Sequence, residues 1–63
     1  MKLHDLLLKM YANEELMIND PKNGTTYIDT AEGLVNGYDS IHDREISTIQ
    51  RSGLYNCIII ELE

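Results

Sequence analysis

Four consecutive apolar residues near the end of the chain constrain the fold most, because they fill both faces of one β-strand. Cys57, Ile58, Ile59 and Ile60 lie in the segment YNCIIIELE, and successive residues of a strand point to opposite faces of a sheet. Ile58 and Ile60 therefore share one face, whereas Cys57 and Ile59 lie on the other. Each apolar face needs a covering layer, and the chain has only 63 residues to build both.

An N-terminal helix is predicted to supply one covering layer. Apolar residues recur at i, i+3, i+4 and i+7, which is the stripe of an amphipathic helix over about residues 2–11; they are Leu3, Leu6, Leu7 and Met10. An isolated helix of this length is marginal in water, so we expect it to dock on a sheet. It is long enough to cover one face of that sheet and not both.

The rest of the chain predicts the sheet. β-Branched, aromatic and other apolar residues mark four strands, at residues 15–19, 25–30, 45–50 and 54–62. The turn DPKNG joins the first two strands into a hairpin. The stretch 31–43, with two glycines, is expected to be a packed loop with a short strand at 33–36. Ile46 and Ile49 differ in parity, so they share a face only if a bulge intervenes.

These elements predict a single α+β domain over residues 1–63, with the N-terminal helix on a small, mostly four-stranded antiparallel sheet. The lone cysteine excludes a disulfide within the chain and a cysteine-centred metal site. Oligomerisation is the remaining common aid to so small a domain. We therefore expect a second copy to cover the second face, with candidate interface residues Cys57, Ile58, Ile59 and Ile60. The alternative is that loop 31–43 folds over that face.

Charge is the strongest signal in the composition. Eleven Asp and Glu oppose five Lys and Arg, for a formal net charge of −6. The five cations are dispersed, which argues against a surface that tracks nucleic-acid phosphates and leaves direct DNA contact doubtful. The acidity serves either solubility or the binding of a basic partner. We expect a cytoplasmic protein, because no targeting signal or membrane-spanning stretch is evident.

The densest polar cluster is the candidate partner-binding site, and it comprises Asp39, His42, Asp43, Arg44 and Glu45. A carboxylate beside His42 is the pattern of a general base or a metal ligand, but the spacing matches no established metal motif. The alternative is a set of local salt bridges at the entry to a strand, with Arg44 neutralised by its two acidic neighbours. No catalytic residue, metal ligand or cofactor is predicted, and Cys57 is expected to be a buried, inert thiol.

The segments MKLHDLLLKMY, LMINDPKNGTTY, DREISTI and CIIIELE resemble small acidic proteins of phages and prophages of Gram-positive bacteria. Some of these resemble type II-A anti-CRISPR proteins, among them a small oligomeric group with a fold like that of single-stranded-DNA-binding coactivators. The resemblance implies a β-rich homo-oligomer that inhibits a host defence nuclease of the Cas9 type. One alternative is a metal-dependent DNA-nicking protein with an intersubunit site, and another is an accessory or structural phage protein without catalysis.

Overall fold

The computed structural model describes all 63 residues as two short helices, one 3₁₀ turn and four strands. The elements in chain order are α1 (Leu3–Leu7), β1 (Glu15–Asp20), β2 (Thr25–Thr30), α2 (Ala31–Asn36), the 3₁₀ turn (Asp39–Ile41), β3 (Ile46–Ser52) and β4 (Cys57–Leu62). The predicted α+β class is confirmed.

The first hairpin forms as predicted. β1 and β2 pair antiparallel in a register that runs from Glu15 opposite Thr30 to Asp20 opposite Thr25. Four residues, 21–24, connect the strands, and Gly24 takes the left-handed conformation (φ 64°) that favours glycine. The Asn23 side chain donates a hydrogen bond of 2.8 Å to Asp20 Oδ2, which holds the turn against the end of β1.

The second hairpin contains a bulge, which is the condition under which Ile46 and Ile49 can share a face. β3 and β4 pair antiparallel, and their register shifts between Ile46 and Thr48. The extra residue places both Ile46 and Ile49 opposite core-facing residues of β4, namely Leu62 and Ile60. The turn follows Ser52 and is later than the predicted Arg51–Gly53 turn, because β3 continues to Ser52.

The predicted antiparallel sheet is wrong, because the structure has a mixed sheet. Its strand order is β2-β1-β4-β3, and the central pair β1 and β4 is parallel. Each hairpin is antiparallel, as its turn requires, but the turns do not determine how the two hairpins join. Residues 31–45, here called the crossover, carry the chain from one edge strand to the other, which orients β4 parallel to β1.

The crossover contains a helix where a loop with a short strand was expected. α2 begins after Thr30, whose hydroxyl accepts a hydrogen bond of 3.1 Å from Gly33 N, the usual role of an N-cap threonine. The helix ends at Gly37, and two glycines within seven residues explain why the sequence pattern gave no helical signal. The structure therefore has one more helix than the sequence predicts.

The first helix is shorter than the predicted 2–11. After α1, the amides of Lys9 and Met10 bond to the carbonyls of Leu6 and Leu7 at 2.9 and 3.2 Å. These are i to i−3 bonds, which tighten the last turns of a helix. The apolar stripe still faces inward, since Leu3 and Leu7 are buried and Leu6 and Met10 pack beside them.

The hydrophobic core lies on one face of the sheet only. Nine buried residues form it: Leu3, Leu7, Leu16, Ile18, Ala31, Leu34, Ile41, Ile60 and Leu62. The crossover contributes three of these, on the same side as α1, so the alternative that loop 31–43 covers the second face is wrong. The second face has no helix over it and is called the open face below. The longest helix has six residues, and none is long and apolar enough to span a bilayer.

Candidate functional site

Arg44 lies at the centre of a buried ion pair that ties three distant parts of the chain together. Its guanidinium donates two hydrogen bonds of 2.9 Å to the two carboxylate oxygens of Asp20 and one of 2.6 Å to the main-chain oxygen of Glu63. Asp20 is 1% exposed. The expectation that Arg44 is neutralised by Asp43 and Glu45 is wrong, because its partner is 24 residues away.

The pair is charged over the ordinary pH range. The hydrogen bonds from Arg44 and then from Asn23 lower the pKa of Asp20 from 3.8 to about 2, although burial acts in the opposite direction. The same Asp20 carboxylate raises the pKa of Arg44. Because the arginine is paired with Asp20 and bonded to Glu63, and its side chain is only 19% exposed, we assign it a structural role and remove it from the candidate partner-binding surface.

His42 also faces inward. Its ring stacks on that of His4, with centroids 4.8 Å apart and planes at 19°, and its side chain is 15% exposed. His42 Nε2 lies 2.7 Å from the carbonyl oxygen of Leu34, so this nitrogen carries the proton and donates to the carbonyl. The second nitrogen lies 3.7 Å from Asp39 Oδ1. These contacts join the first helix to the crossover, which is a structural role.

The inward orientation of Arg44 and His42 leaves a set of carboxylates outside. Asp39, Asp43 and Glu45 are exposed, and we call them the acidic loop. The side chain of Asp39 is 92% exposed, and Glu45 lies 3.1 Å from the amine of Met1. The outer surface of residues 39–45 therefore carries negative charge with no cation of the same segment to neutralise it.

The four predicted interface residues lie in different environments. Ile60 is fully buried in the chain's own core, and Ile58 packs against that core. Cys57 is on the second face by parity, but it is 8% exposed because its own chain already covers it. These three side chains are covered by their own chain and are not available to contact a partner. Of the predicted interface only Ile59 remains, and it is partly buried on the open face.

The structure adds two residues that the sequence reasoning missed. Met17 is the direct neighbour of Ile59 on β4 and of Ile28 on β2. The three side chains cross the open face in one line, which we call the apolar row. Ile28 is 70% exposed. The alternation of residues along β1 and β2 was the available sequence signal for the face of Met17 and Ile28. Their alignment with Ile59 could not be predicted, because it depends on the parallel pairing of β1 with β4.

A second polar cluster anchors the crossover to β2. Tyr38 has φ 57°, which is rare for a bulky residue, and its hydroxyl donates a hydrogen bond of 3.2 Å to Asp29 Oδ2. The Tyr38 ring also meets Tyr27 edge to face at 5.5 Å. The carboxylate of Asp29 raises the pKa of Tyr38. All of these contacts are internal, and they hold the turn that follows α2.

No three His, Cys, Asp or Glu side chains converge in a way that could hold a metal ion. The largest concavity is an open, mostly apolar groove of about 300 Å³ between the two helices, lined by Leu7, Leu8, Met10, Ala12, Ala31, Glu32, Val35 and Asn36. Comparison of the chain with protein-family models, curated proteins and solved structures finds no match.

Proposed function

We propose that this chain is a binding protein that inhibits a basic host nuclease of the Cas9 type through the acidic loop. The observation that carries the proposal is the sequestration of Arg44 by Asp20. It neutralises the only lysine or arginine of residues 39–45, whose side chain is 19% exposed, so that no lysine or arginine of this segment is free to neutralise Asp39 and Asp43.

A nuclease must offer basic surface to the phosphates of its substrate. Exposed carboxylates on a small protein with a net charge of −6 are attracted to that surface and compete with the nucleic acid for it. The choice of a Cas9-type target comes from the resemblance to small acidic phage and prophage proteins. In this proposal the protein acts in the bacterial cytoplasm and self-associates through the open face.

The test is a DNA-cleavage assay with a Cas9-type nuclease and increasing amounts of inhibitor. The test variant D39K/D43K reverses two charges of the acidic loop. The control variant E14K/E32K reverses two carboxylates outside the acidic loop, near the start of α2. There the Ala31 amide donates a hydrogen bond to Glu14 O, and the Glu32 amide donates one to Ala12 O. Both variants change the net charge from −6 to −2, so a difference between them reports position and not total charge.

Two exposed ion pairs contribute up to about 1 kcal/mol each, and reversal turns attraction into repulsion. We therefore expect D39K/D43K to raise the inhibitor concentration for half-inhibition by roughly tenfold or more, with E14K/E32K much closer to the unaltered protein. Equal inhibition by the two variants would remove the acidic loop from the mechanism. Absence of inhibition by the unaltered protein would remove the nuclease itself as the target.

A further inference from the structure

We propose that a second copy of this chain covers the apolar row, so that two sheets pack face to face about a two-fold axis that runs along the row. This inference rests on the self-association included in the proposed function and names its surface. The row consists of Ile28, Met17 and Ile59, one from each of three adjacent strands.

The row is the part of the sheet that the chain leaves uncovered. Both helices and the 3₁₀ turn contribute to the core on the opposite face, and on this face only Cys57 is buried by the chain itself. Burial of isoleucine and methionine side chains lowers the free energy in proportion to the apolar area removed from water. A line of three such side chains across a sheet, with Ile28 exposed and Met17 and Ile59 partly buried, is therefore a surface for association.

The polar residues beside the row are compatible with a two-fold axis along it. β1 carries Glu15 on one side of the row and Asn19 on the other, and β4 carries Cys57 and Glu61 in the corresponding places. A rotation about the row exchanges its two sides. Glu15 of one copy then lies opposite Asn19 of the second, and Glu61 lies opposite Cys57. No two carboxylates of the sheets face each other, despite the acidity of the chain.

The area of the face limits the size of the interface that two copies can form. Four strands of six or seven residues span about 19 Å by about 20 Å at the usual spacing and rise. Two such faces bury about 800 Å², whereas stable interfaces bury about 1,200–2,000 Å². We therefore expect a weak, transient dimer that forms only at high protein concentration.

The experiment is sedimentation velocity from about 10 µM to about 1 mM at about 0.15 M salt, which screens the repulsion between copies. The test variant I28T replaces a 70% exposed isoleucine of the apolar row, on edge strand β2. The matched control I49T makes the same change at a 51% exposed isoleucine of edge strand β3, on the core side of the sheet opposite Ile60. Threonine keeps the β-branch in both, so both chains retain strand propensity.

The unaltered chain and I49T should shift from the 7.2 kDa monomer towards a dimer with similar dissociation constants. I28T should raise the dissociation constant by about tenfold or more, because each substitution acts twice in a symmetric dimer. A chain that stays monomeric to 1 mM, or association that I28T leaves intact, would overturn the inference. Both results are independent of nuclease inhibition, so this proposal fails separately from the acidic-loop mechanism.

Discussion

Replacement of each of two neighbouring isoleucines by valine, in separate variants, should distinguish the core face of the sheet from the open face by the loss of stability. Ile60 is fully buried in the core, whereas Ile59, the preceding residue of the same strand, lies on the open face and is partly buried. A buried Ile to Val change costs about 0.5–1.5 kcal/mol. The total free energy of unfolding for 63 residues is roughly 3–9 kcal/mol at the usual 0.05–0.15 kcal/mol per residue, so the loss at Ile60 is measurable and leaves the chain folded.

The assay is urea unfolding followed by circular dichroism at about 10 µM, where the monomer predominates. With a slope of about 1 kcal/mol per molar urea for a small domain, I60V should lower the midpoint by about 0.5–1.5 M. I59V should lower it by less than half as much, because its side chain has fewer contacts to lose. Equal losses would show that Ile59 is packed as tightly as Ile60, and a larger loss for I59V would show that the core has been assigned to the wrong side of the sheet.

Four further measurements test three internal contacts and the salt dependence of the two proposed interactions. Because the pKa of Asp20 falls from 3.8 to about 2 on folding, its contribution to stability is present above about pH 4 and is lost as the pH falls towards 2; D20N should flatten this acid limb of a stability–pH curve. Tyr38 should ionise at raised pH because the Asp29 carboxylate raises its pKa, so Y38F should reduce the absorbance change at the high-pH end of an ultraviolet titration. A Cβ at Gly33 would overlap the Asp29 carboxylate, which Thr30 and Tyr38 hold in place by hydrogen bonds. G33A should therefore destabilise the protein by about 1–3 kcal/mol in thermal unfolding. In a D29A background, where the carboxylate is absent, the same change should become favourable. Raising salt from about 0.05 to 0.5 M should tighten the dimer in sedimentation and weaken inhibition in the cleavage assay.

Features set by residues close in sequence could be predicted. The turn DPKNG is enough to indicate the first hairpin, because proline and Asn-Gly favour specific turn conformations. The parity of Ile46 and Ile49 indicates that a bulge is needed if the two share a face, and the structure has one between Ile46 and Thr48. The start of α1 follows from its leucine spacing, although its end does not, because the last turns tighten into i to i−3 bonds.

Features set by distant residues could not be predicted. The parallel pairing of β1 with β4 depends on how the crossover packs, and no turn signal reports that. The pairing of Arg44 with Asp20 spans 24 residues, while two nearer carboxylates offered a simpler partner. Since the candidate site depends on both features, only its exposed acidic residues and Ile59 could be identified in advance.

The negative charge acts in opposite directions on the two proposed interactions. Two copies that each carry −6 repel, and the repulsion opposes a dimer whose apolar contact area is already small. The same charge attracts the acidic loop to a basic surface, and a dimer would present that loop twice. A basic partner that binds both loops neutralises the repulsion and supplies a high effective concentration of one copy to the other. Self-association should therefore be weak in the free protein and stronger on the target, which couples the open face to the acidic loop although the two surfaces share no residue.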